Sequence, residues 1–423
     1  MKLKSIKLKN SLPVFTVHLP YSKTVTILMM YKTGSKYESQ KTSGLSHFLE
    51  HMMFKGTEKR KNTLILSSEL DSLGAEFNAF TSKEYTGYYI KVPKNKINNA
   101  IDILSDMLLN SKFDSEEIDR ERGVIISELN MYKDNPNMSI DDLFESCLYG
   151  DTPAGWSIIG TKKNINNFTR EDFVKYFSSQ YGVNSSALFL AGNFSEKDVY
   201  SVLEKKFAPM KKNNYQNKVK VIEKQSQPEF KIKKKKIDQN VLGLGFRAFP
   251  SGHPDEITLK VLSTILGGSM SSRLFIELRE RRGLAYFVRS NADFYTDSGY
   301  LSVFAGVPKD KTKEAVEIIL KEFKKMKEEL VSPAELKKAK DLMAGRLVVS
   351  MEQSDDYSSW YGQQFILRKE FCSPEESLKK IKQVSAVDIK KLAKRFFVDK
   401  SLNLALIGDI KNEAQLKNIL SVK

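Results

Sequence analysis

Only two cysteines, two tryptophans and four histidines occur among the 423 residues of this chain. Cys147 and Cys372 form no CxxC pair and no scaffold pattern, so both read as buried or partly buried thiols of a reducing compartment. No apolar run approaches the ~20 residues that a membrane-spanning helix needs. The opening segment, MKLKSIKLKNSLPVFTVHL, alternates like a strand and lacks the apolar core and small-residue cleavage site of a signal peptide. A cytoplasmic protein with no membrane contact is expected.

Acidic residues are scarce in one region alone. The net charge is +16, and between Lys205 and Lys236 twelve lysines stand against only Glu223 and Glu229, a net +10. A run of this kind usually forms a solvated linker or surface loop. Aromatic and arginine interleaving is too sparse for a nucleic-acid module, so no nucleic-acid partner is expected. Elsewhere the composition is that of a globular protein, 41% hydrophobic and 28% charged. The length suits two to four domains at roughly 100–200 residues each.

An internal repeat organises the chain. Val92-Pro93-Lys94 matches Val307-Pro308-Lys309, and Ala100-Ile101-Asp102-Ile103 matches Ala315-Val316-Glu317-Ile318, in register. Glu117-Ile118 pairs with Glu335-Leu336 at the start of a further charged helix. A strand, a Val-Pro-Lys turn and two helices recur, which indicates a duplicated domain. The expected division is a first domain over 1–210, a basic linker over 211–236 and a second domain over 237–423. Strand alternation covers 24–31, 84–92, 186–191, 241–246 and 299–307, and helical periodicity covers 44–53, 64–73, 97–110 and 115–132. Strands and helices run in groups rather than in strict alternation. That favours α+β domains, each a mostly antiparallel sheet with helices on one face.

Two of the four histidines fall in one predicted helix, in Ser46-His47-Phe48-Leu49-Glu50-His51. His47 and His51 are one turn apart on one face, the spacing for two imidazoles to reach one zinc at about 2.0–2.1 Å. Glu50 shares that face and can take a proton from an attacking water. This inverted H-x-x-E-H order occurs in metalloproteases. Two satisfied histidines on an amphipathic helix would also fit the spacing. A catalytic zinc takes three protein ligands and leaves one position open. Glu121 and Glu128, two turns apart on the next charged helix, are both candidates, although most glutamates on such helices are simply solvated.

The segments GLSHFLEHMMFKGT, ERGVIISEL, Asn78-Ala79-Phe80-Thr81 with Thr86 and Tyr88, and SRLFIELRERRGLAYFV together resemble the M16 peptidases. These are the pitrilysin-like inverzincins, here in a small two-repeat form, and the resemblance runs over nearly the whole chain. It implies His47, His51 and Glu128 as ligands of Zn2+, Glu50 as general base and Glu121 as an outer carboxylate steadying the site. Asn78, Ala79, Phe80 and Thr81 are implied to hold the peptide substrate as an added strand. Arg279 and Tyr286 are implied to assist from the second domain, the two domains closing like a clam around a peptide chamber. The implied activity is that of a zinc-dependent endopeptidase on short or unfolded peptides, in a homodimer or with a paralogous partner subunit. A degenerate, inactive subunit of this fold would have lost one of His47, Glu50, His51 or Glu128, and all four are present. At the repeat offset the second half carries Leu262, Leu266 and Arg346 in place of the three ligands, so it cannot bind zinc in the same way.

Overall fold

The computed structural model describes residues 2–368 and 370–422, which form two compact units. The first is built on a six-stranded sheet of β1 (Leu3–Lys7), β2 (Pro13–His18), β3 (Thr24–Tyr31), β4 (Glu76–Thr81), β5 (Thr86–Pro93) and β6 (Ser186–Gly192). Its order is β1-β2-β6-β3-β5-β4, antiparallel except for β2 against β6. The second unit has a five-stranded sheet of β7 (Glu229–Lys234), β8 (Gln239–Ala248), β9 (Phe287–Phe294), β10 (Gly299–Pro308) and β11 (Leu402–Gly408). Its order is β7-β11-β8-β10-β9, antiparallel except for β7 against β11. The duplication is therefore real at the level of topology. The Val-Pro-Lys turns end β5 and β10, and each leads into a short 3₁₀ turn and then a long helix, Ile97–Asn110 or Thr312–Glu328. Among the described residues, no helix is long and apolar enough to cross a membrane.

The units are not the two contiguous halves that the repeat suggests. The first takes Met1–Asn130, Trp156–Val219 and Ser350–Phe371, and the second takes Met131–Gly155, Lys220–Val349 and Cys372–Lys423. Each half of the chain thus gives one helix to the other unit. Helix Ser354–Leu367 lays Tyr357, Tyr361 and Ile366 on Leu28, Met30 and Phe189 of the first sheet. Gly362 makes that approach possible, since a Cβ there would lie 3.0 Å from Met30 Cγ and 3.1 Å from Leu28 Cδ2. Helix Pro136–Tyr149 likewise packs Ile140, Phe144 and Leu148 against Phe304, Ala405 and Ile407 of the second sheet. Other helices of the second unit, among them Glu256–Gly267, Thr312–Glu328 and Ala386–Phe396, build the larger apolar cluster with Leu242, Leu244 and Phe246. The exchanged helix adds a cover to the other face, which explains why β6 and β11 are buried along their whole length.

The basic stretch is not a free linker. Tyr215 Oη donates to the Lys32 carbonyl at 2.5 Å, and Asn213 Nδ2 donates to the Ser179 carbonyl at 2.7 Å. Lys218 reaches the fully buried Glu84 at 2.9 Å, beside Lys36 at 2.8 Å. Further on, Gln225 Nε2 donates to the Leu402 carbonyl at 2.8 Å, and Glu229–Lys234 is β7 itself. Phe230 and Ile232 turn towards the apolar cluster. β7 is an edge strand, and lysine on an edge discourages pairing with another chain. The charge run that composition marks as a linker is thus part structural tie and part edge protection.

Candidate metal centre

The helix that carries the histidines, Leu45–Met52, buries Leu45, Phe48, Leu49 and Met52 and leaves His47, Glu50 and His51 on its other side. Phe48 is locked edge-on against Phe173, with centroids 4.9 Å apart. The second contributor, Ser115–Asp134, buries Ile118, Ile125 and Leu129 on one stripe. Glu121 and Glu128 lie at its margin, two turns apart. Glu116 and Glu117 in its first turn and Lys133 in its last suit the helix dipole.

These two helices bring His47, His51 and Glu128 together, with one ligand atom from each within 4.8 Å of the others. His47 Nε2 is 3.7 Å from Glu128 Oε1, and His51 Nε2 is 3.7 Å from Glu128 Oε2. Three donors bound tetrahedrally at about 2.0–2.1 Å would stand about 3.4 Å apart. The observed spacing therefore fits one small cation with little movement. His51 Nδ1 is 2.8 Å from Glu121 Oε1. Because an ionised carboxylate can only accept, this bond places the ring proton on Nδ1 and leaves Nε2 free.

Electrostatics argue the same way. Burial, and then neighbouring His51, hold the His47 imidazole down to about 3, so it is a neutral lone-pair donor. Burial raises Glu50 above the usual carboxylate range; Thr81 and His51 pull it back and Glu128 pushes it up. Burial also raises Glu128, with Glu121 adding to it against His51. Burial thus disfavours charge on both carboxylates, and a divalent cation held between them and the imidazoles would offset it.

Lys55 is a contributor that sequence reading misses. Its Nζ sits 2.5 Å from Glu121 Oε2. Burial would raise Glu121, but the bonds from His51 and Lys55 outweigh it and hold the carboxyl low. Spacing gives no signal for it, since Lys55 lies past the end of the helix Leu45–Met52 and its partner Glu121 belongs to another helix. Lys55→Ala is expected to loosen Glu121 and weaken metal binding by roughly 10–100-fold, the range for lost outer partners. Competition with a chromogenic chelator would measure it, and an unchanged affinity would remove Lys55 from the site.

Asn78, Ala79, Phe80 and Thr81 all lie on β4, the edge strand of the first sheet. Phe77 packs against Phe54, just past the histidine helix, with centroids 6.2 Å apart, so this edge runs beside the metal centre. Asn78 is exposed and its side-chain oxygen accepts from the Ala79 amide at 2.9 Å. Ala79 is buried, while Phe80 is half-buried against Tyr85. Arg279 and Tyr286 belong to the second unit and are brought to each other. Arg279 lies in a π-helical turn, Phe275–Glu280, a rare conformation that recurs at functional sites. Its guanidinium sits 5.7 Å from the Tyr286 ring centroid and donates to the Tyr286 carbonyl, and Tyr286 is 71% exposed. At the repeat positions of His47 and His51, Leu262 and Leu266 are fully buried core residues. His253 stacks on Phe249 at 3.9 Å and takes no part in a metal group.

An inverted-motif helix facing a glutamate helix defines the class, a metallopeptidase-type centre on a duplicated α+β fold. Residues 13–162 match the family described as Insulinase (Peptidase family M16), and residues 167–343 match Peptidase M16 inactive domain. The chain belongs to peptidase family M16. It is 34% identical over 412 residues to an uncharacterized zinc protease of Bacillus subtilis, covering 96% of this chain and 98% of that one. It is 35% identical to an uncharacterized zinc protease of Rickettsia felis, covering 92% and 94%. The structure of a protease from Helicobacter pylori shares the fold at a TM-score of 0.89, with 24% identity over 96% and 99% of the two chains. A chain of complex III2 from Candida albicans shares it at 0.82, with 15% identity over 99% and 100%.

Proposed function

We propose that this peptidase is a zinc-dependent endopeptidase of short or unfolded peptides. The observation that carries the reading is the convergence of His47, His51 and Glu128 with Glu50 on the same helix face. Zinc held there would act as a Lewis acid, polarising the scissile carbonyl and making water acidic enough to attack near neutral pH. Glu50 takes a proton from the attacking water and returns it to the leaving amine. His51 is kept in one tautomer by Glu121, itself held by Lys55. The free edge of β4 offers backbone groups to an extended peptide, which favours unfolded chains with little regard to sequence.

Arg279 and Tyr286 serve this reading as groups that hold a substrate carbonyl and stabilise the oxyanion. Tyr286→Phe removes only a hydroxyl and is expected to lower kcat roughly 10–1000-fold with zinc content unchanged. Wild-type rates in that variant would take Tyr286 out of the reaction. The endopeptidase assignment is tested with a peptide blocked at both ends and a denatured protein, the products read by mass spectrometry. Cleavage at internal bonds is expected; release of single terminal residues alone would overturn it.

A further inference from the structure

The two histidines are held differently. The His51 ring is fixed by Glu121, whereas His47 Nδ1 is buried and has no protein partner. No hydrogen bond at Nδ1 orients the His47 ring, so its position depends on the backbone at the start of the helix Leu45–Met52 together with its packing on His51, 4.8 Å away between ring centroids. That start is unusual. Its N-cap is Gly44, which has no side chain to accept from the free amides of the first turn. Gly44 has φ +99°, and a Cβ there would lie 2.4 Å from the Ile159 carbonyl oxygen, so no capping residue can replace it. The acceptor comes instead from Glu38, which is 3% exposed. Its Oε2 accepts from the Gly44 amide at 2.8 Å and its Oε1 from the Ser46 amide at 2.7 Å. Ser46 Oγ lies 2.6 Å from Tyr176 Oη, which lies 3.1 Å from Thr33 Oγ1, so the residue before His47 is tied at both its amide and its side chain.

We propose that Glu38 is the positioning residue for His47, its two carboxylate oxygens anchoring the Gly44 and Ser46 amides so that the helix presents the imidazole at a fixed point. Glu38 does through the backbone for His47 what Glu121 does through the ring for His51. This rests on the reading of His47, His51 and Glu128 as the zinc site. It goes beyond that reading by assigning a role to a residue that touches neither metal nor substrate.

The test uses the full chain with Glu38→Ala and Glu38→Gln. Zinc affinity, read by chelator competition, is expected to fall roughly 10–100-fold in Glu38→Ala, the range for an outer partner of a metal ligand. Glu38→Gln keeps one acceptor for two amides and is expected to fall between that variant and the parent, which also serves if the alanine variant does not fold. In the metal-free protein, hydrogen exchange at the Gly44, Ser46 and His47 amides should accelerate while β3 and β6 keep their protection. Peptide kcat should fall with KM within about twofold, because β4 is untouched. Parental zinc affinity in both variants, or loss of protection spread over the whole first unit, would overturn the assignment. A parent protein that binds no zinc would overturn the metal reading and this one with it. A parent that binds one zinc beside an indifferent Glu38→Ala overturns this one alone.

Discussion

Glu50→Gln is expected to keep its zinc and lose turnover by several orders of magnitude. The substitution is nearly isosteric and leaves His47, His51 and Glu128 in place. Burial already disfavours the charged form of this side chain, so a neutral amide fits the same surroundings without a stability loss. What disappears is the acceptor for the proton of the attacking water. General base catalysis alone contributes about 10²–10⁴. The same group also delivers that proton to the leaving amine, so its loss affects both halves of the reaction. Metal content by atomic absorption and initial rates on an internally quenched peptide would be read together. Turnover within tenfold of the parent would show that another group takes the proton, and a metal-free variant would show that Glu50 is a ligand.

Glu128→Ala is expected to abolish both metal and activity, as is His51→Ala. Glu128 lies 3.7 Å from the Nε2 atoms of both histidines, Oε1 facing His47 and Oε2 facing His51. Without it only the two imidazoles remain as ligands and the set loses its one anionic donor, so affinity should drop by more than the ~100-fold upper range of outer partners. Stability gives an independent measurement. A ligand at one hundred times its Kd stabilises the folded state by about 2.7 kcal/mol. The parent should therefore gain several degrees in Tm on adding zinc, and Glu128→Ala should gain nothing. The metal-free forms of the two should melt close together, because the Glu128 carboxylate is disfavoured by burial when no cation is bound. The parent should hold about one zinc per chain, since the described residues contain one group of suitable donors. A Glu128→Ala protein with full zinc affinity would transfer the ligand role elsewhere, and Glu121 is the nearest candidate.

Much of this was legible in the order of residues, because the informative patterns are local. A 3.6-residue period over 97–110 yields a helix with those bounds, and alternation over 24–31 yields β3 with those bounds. His47, Glu50 and His51 share a face because their spacing leaves no other arrangement on a helix. The duplicated Val-Pro-Lys turns anticipated two sheets with the same strand order around β3 and β8. Leucine at 262 and 266 means that the second half cannot bind zinc in the same way, and both leucines are core.

What the tertiary structure alone decided concerns residues far apart in sequence. Periodicity says that a helix face is apolar but not which sheet will cover it, so the exchange of Pro136–Tyr149 and Ser354–Leu367 between the units left no local trace. A lysine run scores as solvated because composition averages over residues. Lys218 found a buried carboxylate and Phe230 and Ile232 an apolar cluster, and each such contact depends on a distant partner. For the same reason Lys55 and Glu38 could not be assigned from spacing: their partners, Glu121 and the amides of a glycine-capped helix, become neighbours only when separate elements pack. Short-range geometry follows from the chain's own covalent repeat, while the choice among distant partners is made by burial and hydrogen-bond satisfaction across the whole fold.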